Sequence, residues 1–257
     1  MQQNSAFGEI IIELKEIDST NNYAMRLINE GMAEHGLTIK ADFQTHGKGQ
    51  LGNTWMAEES KNLLCSVILD TKGFEIEKQF ILNCMTCVSV TELLMQQYNI
   101  PNVSIKWPND IYAGNKKIAG ILIENNIRGS QWTFAVVGIG LNINQEEFSY
   151  LKTATSMKNE LKKEFKVNMV LKQLLKKLAS SLNEFKKNPN SLLVTYNNYL
   201  MHVQQEIQFM YKYELKKGIL KRVTDQGLIE IAEMPHDRIK ESKIKCYKHK
   251  EIELLIG

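Results

Sequence analysis

Three short stretches of the 257-residue chain bring together residue types that handle anions. In Gly47-Lys48-Gly49-Gln50-Leu51-Gly52, closely spaced glycines let backbone N–H groups turn toward a negative charge beside Lys48. The stretch follows an expected strand but leads into more loop, so neither a dinucleotide fingerprint nor a Walker loop fits, and a plain surface turn stays open. Lys106-Trp107-Pro108-Asn109-Asp110 sets a cation, an amide and a carboxylate in a tight bend around a proline; an ordinary β-turn would have the same composition. In Lys117-Ile118-Ala119-Gly120 a lysine enters an otherwise apolar strand that ends at Glu124. A charge at the mouth of a buried strand is costly unless paired, which points to a ligand. Only four arginines are present (Arg26, Arg128, Arg222, Arg238), so an anion bound elsewhere must meet Lys, backbone amides or a metal.

Strands and helices must hold these stretches. Strands are expected at Ile10 to Leu14, Leu37 to Phe43, Leu63 to Leu69, Ser104 to Trp107, Ile118 to Ile123 and Thr133 to Ile139. Ser19-Thr20-Asn21-Asn22 offers capping side chains to a helix through Tyr23, Ala24, Leu27 and Ile28, closed by Gly31. A long helix spans Lys78 to Tyr98, and Asn168 is the expected N-cap of an amphipathic helix that buries Val170, Leu171, Leu174, Leu175, Leu178, Leu182 and Phe185. Asn188-Pro189-Asn190 ends it, and another helix runs through Tyr196 and Tyr199. From about Glu206 the pattern shortens to alternating runs at Ile207 to Met210, Gly218 to Val223, Gly227 to Ile231 and Ile252 to Ile256, with a turn at Asp225-Gln226-Gly227. The expected architecture is α+β: a mixed sheet with helices packed on one face, over residues 1–204, followed by a small β domain over 205–257.

A hydrophobic content of 43% and a charged content of 24% suit a folded domain and exclude a disordered or collagenous chain. No apolar run reaches the roughly 18 residues of a membrane span, and the polar start has no signal-peptide pattern, so a cytoplasmic protein without membrane contact is expected. Cys65, Cys84, Cys87 and Cys246 have neither zinc-site spacing nor disulfide density and are expected as structural thiols. The net charge of +3 hides an asymmetry: residues 1–151 carry 11 Lys or Arg against 17 Asp or Glu, whereas 152–187 carry 10 Lys against 3 Glu. The Lys-rich segment either steers an acidic macromolecular partner or only solvates its helices.

Six stretches taken together resemble the biotin protein ligases: STNNYA at 19–24, ADFQTHGKGQLGNTW at 41–55, KNLLCS at 61–66, KWPNDIY at 106–112, KKIAGILIE at 116–124 and VVGIGLNIN at 136–144. They occur in family order, and the last 50 or so residues look like the family's small C-terminal barrel. The resemblance implies a biotinyl/lipoyl ligase catalytic domain, class II synthetase-like, with an SH3-like β-barrel behind it. It implies ATP-dependent biotinylation through biotinyl-AMP of a lysine on a biotin carboxyl carrier protein or domain, with ATP and Mg²⁺ required and biotin as substrate. No DNA-reading domain is expected at this length, and a homodimer is among the assemblies the sequence permits.

By position in the family's motifs, Lys117 is the catalytic lysine touching biotin and the α-phosphate, and Asp110 assists the incoming amine. Biotin is expected at Ser19, Thr20, Asn21, Gln44, Gly47, Lys48, Lys117 and Gly120. ATP and its phosphates are expected at Lys48, Gly49, Gln50, Gly52, Trp55, Lys106, Asn109 and Asn142, with Mg²⁺ near Lys106, Asn109, Asp110 and Asn142. Two departures stand out: Gln50 replaces the usual arginine that helps retain the adenylate, and Ser60 replaces a usual glycine. An amide can hydrogen-bond phosphate but cannot form the bidentate charged pair. A lipoate or octanoate ligase or transferase shares the fold and the acyl-to-lysine outcome. A non-catalytic biotin-sensing or nucleic-acid-binding module is the further alternative, disfavoured by the presence of Lys117 and Asp110.

Overall fold

The computed structural model describes residues 7–149, 151, 153–234 and 243–255. Ile256, Arg238, Lys152 and the first six residues, all used in the sequence reading, lie outside them. The larger sheet has seven strands: β1 (Ile11–Ile17), β2 (Thr38–Gln44), β3 (Leu63–Asp70), β4 (Val103–Lys106), β5 (Asp110–Ala113), β6 (Lys116–Arg128) and β7 (Gln131–Leu141). Their order is β1-β2-β3-β7-β6-β5-β4, with β1 and β2 parallel and every other pair antiparallel, which makes the sheet mixed as expected. Strand β5 went unforeseen, because Pro108, Asn109 and Asp110 mark a turn and only three residues follow before the next turn at Gly114.

Helices cover both faces of this sheet, not one. Helix α1 (Thr20–Asn29) packs Ala24, Leu27 and Ile28 on Ile39, Ile68 and Val136. The residues one step along those strands, among them Cys65, Val67, Val137 and Ile139, face the other way, into the main core. There lie α2 (Gln79–Glu92), α4 (Val167–Lys187) and α5 (Pro189–Asn198), with the short α3 (Met157–Leu161) just ahead of α4 in the chain. The apolar stripe of α4 is buried at all seven expected positions, but the helix begins one residue before Asn168, with Lys166 at the cap and no side-chain cap bond. Its entry is fixed instead from β7's exit, where Asn144 holds the Phe165 backbone through both amide atoms at 2.8 and 2.9 Å.

Helix α1 likewise lacks the local cap that its Ser-Thr-Asn-Asn start suggests. The Thr20 N–H and hydroxyl both donate to Gln44 Oε1 of β2, at 2.7 and 3.0 Å, so the first N–H of the buried helix start is satisfied across the fold.

The chain ends in a second, antiparallel sheet of β8 (Glu206–Tyr211), β9 (Glu214–Val223), β10 (Ile229–Glu233), β11 (Lys243–Tyr247) and β12 (Ile252–Leu255), ordered β11-β10-β9-β8-β12. It has the SH3-like form, with its ladder left open between β11 and β12 among the described residues. Trp107 Nε1 donates to the Gly227 carbonyl at 3.0 Å and joins the two sheets.

Candidate active site

A cavity of ≈ 990 Å³ lies on the α1 face of the large sheet, floored by β3, β6 and β7 and walled on its far side by two turns of the small sheet. Glycines make the room. The Trp55 indole lies on β6 and β7 so closely that a Cβ at Gly140 would fall 2.4 Å from the ring, and Asn21 Oδ1 sits 2.3 Å from where a Cβ at Gly138 would be. The glycine-rich stretch folds as a tight loop with a 3₁₀ turn at Gln50–Gly52, closed by Gly49 N–H to Asn53 O at 2.7 Å and Trp55 N–H to Gly47 O at 2.9 Å.

Two charged groups anticipated from separate stretches meet here: Lys117 Nζ lies 2.7 Å from Asp110 Oδ1 and 5.5 Å from the Trp55 ring centroid. Strand register makes the meeting, since β5 starts at Asp110 opposite Gly120 of β6 and a bulge after Ile111 realigns the pair near Lys117. Lys106 lines the same cavity with its ammonium over Tyr112, 5.4 Å from the ring centroid. Burial pushes the Lys106 ammonium down from its ordinary range, while the nearby Asp110 carboxylate works against that shift. Burial and Asp110 together raise the Tyr112 phenol to about 12, so it stays protonated.

Ser19, Thr20, Asn21, Gln44, Lys48, Gly49, Gln50, Trp55, Lys106, Asn109, Asp110, Lys117 and Gly120 all line the cavity; Gly47, Gly52 and Asn142 do not. Asn142 is buried and donates to Thr155 O at 3.0 Å, which fits a structural tie better than a phosphate contact. Asn109 donates a side-chain amide N–H to Ile121 O, and its backbone carbonyl accepts from Ile121 N–H at 3.0 Å, which ties it to β6 from both ends. Among the described residues no three of His, Cys, Asp and Glu come together as a metal cage. Asp110, the one carboxylate in the expected Mg²⁺ set, is already paired with Lys117.

Gln50 Oε1 and Trp55 Nε1 are buried without a hydrogen-bond partner. Such orphans are rare and costly, and both belong to residues of the cavity wall, which marks it as built for a polar ligand. The Pro108 carbonyl, between Trp107 and Asn109, accepts from Asn83 Nδ2 at 2.8 Å and from Tyr196 Oη at 2.9 Å.

The far wall was missed by sequence reasoning. It consists of Met210 to Tyr213 and His249 to Leu254 from the small sheet. Lys212, Tyr213 and Lys250 all have left-handed backbones, with φ of 49°, 66° and 75°, and Tyr213 is 100% exposed. The usable signal was Lys212-Tyr213 itself: a two-residue hairpin turn that lacks the usual Asn-Gly. His249 stacks edge-on against Trp107, with centroids 5.3 Å apart, and burial lowers its imidazole pKa.

A mixed sheet of this topology, with a cation-lined cavity and a small antiparallel sheet closing it, defines a ligase fold that comparison makes specific. The profile of the Biotin/lipoate A/B protein ligase family matches residues 13–142, half of the chain, and the chain belongs to that family. It is 30% identical to the biotin protein ligase from Aquifex aeolicus in complex with biotin and ATP, covering 97% of this chain and 100% of that one with a TM-score of 0.78. It is 31% identical over 144 residues to the bifunctional ligase/repressor BirA of Bacillus spizizenii, covering 56% of this chain, and 26% identical over 242 residues to the human biotin–protein ligase, covering 89%. The chain spans 43% and 33% of the lengths of those two curated relatives. Among the described residues no helix is long and apolar enough to cross a membrane.

Proposed function

We propose that the chain is an ATP-dependent biotin ligase that modifies a lysine on a biotin carboxyl carrier domain through biotinyl-5′-AMP. The observation that carries this is the Lys117–Asp110 pair at 2.7 Å in a cavity that also holds Lys48, Lys106 and two orphaned polar atoms. In the first step a biotin carboxylate oxygen bonds to the α-phosphorus of ATP, and the bond to pyrophosphate breaks. Two anions must approach each other, and Lys117 with Lys106 and Lys48 offsets their repulsion and the charge that grows at phosphorus. In the second step the carrier lysine amine attacks the acyl carbon, AMP leaves, and the amine gives up a proton. Asp110 lies beside Lys117 and is placed to take that proton.

Biotin fits the end formed by Thr20, Asn21 and Gln44, where the Thr20 N–H donates to Gln44 and the Asn21 amide donates to Glu124. The nucleotide fits toward Trp55, Lys106 and the turns of the small sheet. Mg²⁺ would enter with the ATP phosphates, since isolated carboxylates and not a cage are on offer, and no step is assigned to it. We place the junction between catalytic and small domains at 204/205, just ahead of β8. The test is pyrophosphate release from the purified chain on adding ATP with biotin, with lipoate or with neither. Release with biotin and subsequent labelling of a carrier domain is expected; release with lipoate alone would move the chain to the lipoate branch of its family.

A further inference from the structure

We propose that Glu124 is the positioning residue that sets Lys48 and Asn21 against the substrate, an inference that rests on the ligase reading above. Glu124 lies within β6 beyond the cavity floor, paired in register with Val136 of β7, and does not itself line the cavity. Its two carboxylate oxygens are divided between two residues that do. Oε1 accepts from Lys48 Nζ at 2.8 Å, and Oε2 accepts from Asn21 Nδ2 at 2.7 Å. Asn21 is fixed at its other end as well: Ser66 Oγ lies 2.6 Å from its Oδ1, and the amide fills the space over Gly138. One side chain therefore links the glycine-rich loop, the first turn of α1 and the middle of the sheet.

Both neighbours of Glu124 are donors, and only an acceptor-only group serves both at once. A glutamine could accept from one but would turn its own NH₂ against the other. An ammonium has three N–H groups, so Lys48 keeps two for a ligand anion after Glu124 takes one. A free lysine side chain samples many rotamers, and holding it from behind removes an ordering cost that the substrate would otherwise meet on binding. The pair is only partly shielded, with side-chain exposures of 40% for Lys48 and 27% for Glu124, so it can loosen as a ligand arrives without stranding a buried charge.

The experiment uses the full chain and follows pyrophosphate release with biotin and ATP for wild type, Glu124→Gln, Lys48→Gln, Asn21→Ala and the two double variants with Glu124→Gln. A positioning role predicts a biotin KM raised about tenfold in Glu124→Gln, the scale of one charge-assisted contact, with kcat within about twofold of wild type. It also predicts that the Glu124→Gln effect shrinks when combined with Lys48→Gln or with Asn21→Ala. A wild-type biotin KM, a loss confined to kcat, or full additivity with both partners would overturn it. If Glu124→Gln does not fold, Glu124→Asp carries the same test, because it keeps the charge but cannot span both donors: a smaller KM rise with the same coupling supports the role, and no coupling overturns it. Failure of the ligase reading would show instead as a wild-type chain without turnover.

Discussion

The two walls of the cavity are built on opposite plans. On the large-sheet side, Gln44 binds Thr20, Lys117 pairs with Asp110, and Asn21 and Lys48 are held from behind by Ser66 and Glu124, all at 2.6 to 3.0 Å, with their backbones in regular strands, a helix or the tight glycine loop. On the small-sheet side, Lys212, Tyr213 and Lys250 sit on turns whose backbone conformations favour glycine or asparagine. One wall holds its charged groups in paired, regular positions, the arrangement that stabilising a developing charge requires. The other carries local strain at a ligand-facing rim, where the cost is borne by the surrounding sheet.

If the first wall carries the chemistry, its centre is the most damaging place to cut. Lys117→Gln is expected to slow pyrophosphate release by about 10²- to 10³-fold, the range for removing one preorganised stabiliser of developing charge. Asp110→Asn should instead slow transfer from supplied biotinyl-AMP more than it slows adenylation. Near-normal adenylation in Lys117→Gln, or equal losses in both steps for Asp110→Asn, would break the division of labour between the two residues.

The second wall answers to a change that should improve the fold while harming the site. Replacing Lys212-Tyr213 with Asn-Gly supplies the residues a two-residue hairpin prefers and relieves two left-handed positions. Relief of about 1 kcal/mol would raise the melting temperature by about 2–4 °C in a chain of this size. The KM for ATP should rise a few-fold in the same protein. A higher melting temperature with an unchanged KM for ATP would mean the turn is structural only, and the contrast between the walls would be lost.

The smallest effect is expected farthest from both walls. Helix α4 packs on the face of the large sheet opposite the cavity, and Lys177, which the charge count grouped with Lys172 and Lys176, is engaged by Glu92 of α2. Electrostatic steering of an acidic carrier by this helix is therefore not expected. Lys172→Gln with Lys176→Gln should leave the carrier KM unchanged at low salt, where screening is weakest. A clear rise at low ionic strength that vanishes at high salt would restore the steering role.

What could be seen in the sequence followed the same division. The large-sheet wall is assembled from short local patterns, each with a cation, an amide or glycines in a recognisable arrangement, so Lys117, Asp110 and Lys48 could be singled out one by one. Their partners could not. Glu124 was visible only as the end of a strand, because its two bonds reach 76 and 103 residues away. The small-sheet wall left only the two-residue turn at Lys212-Tyr213 as a local signal, since its residues matter through where the second sheet docks. The same limit explains the helix caps: Ser19 and Asn168 have the right side chains, but Gln44 and Asn144, distant in sequence, do the work. Placement of helices on both faces escaped prediction because an apolar stripe shows that a helix is buried, not which side of a sheet it covers.

The Pro108 carbonyl, gripped by Asn83 of α2 and Tyr196 of α5, has a consequence for how the molecule fails under heat. Tyr196 is fully buried, so the bend at Trp107 to Asp110 cannot swing free without disturbing the helical layer beneath it. Regions of this kind exchange their amide hydrogens only through the largest openings of a protein. The bend's amides should accordingly be among the slowest to exchange, and thermal inactivation should track global unfolding with no earlier, reversible loss of turnover. Enzymatic rate would then serve as a thermometer for the integrity of the whole core.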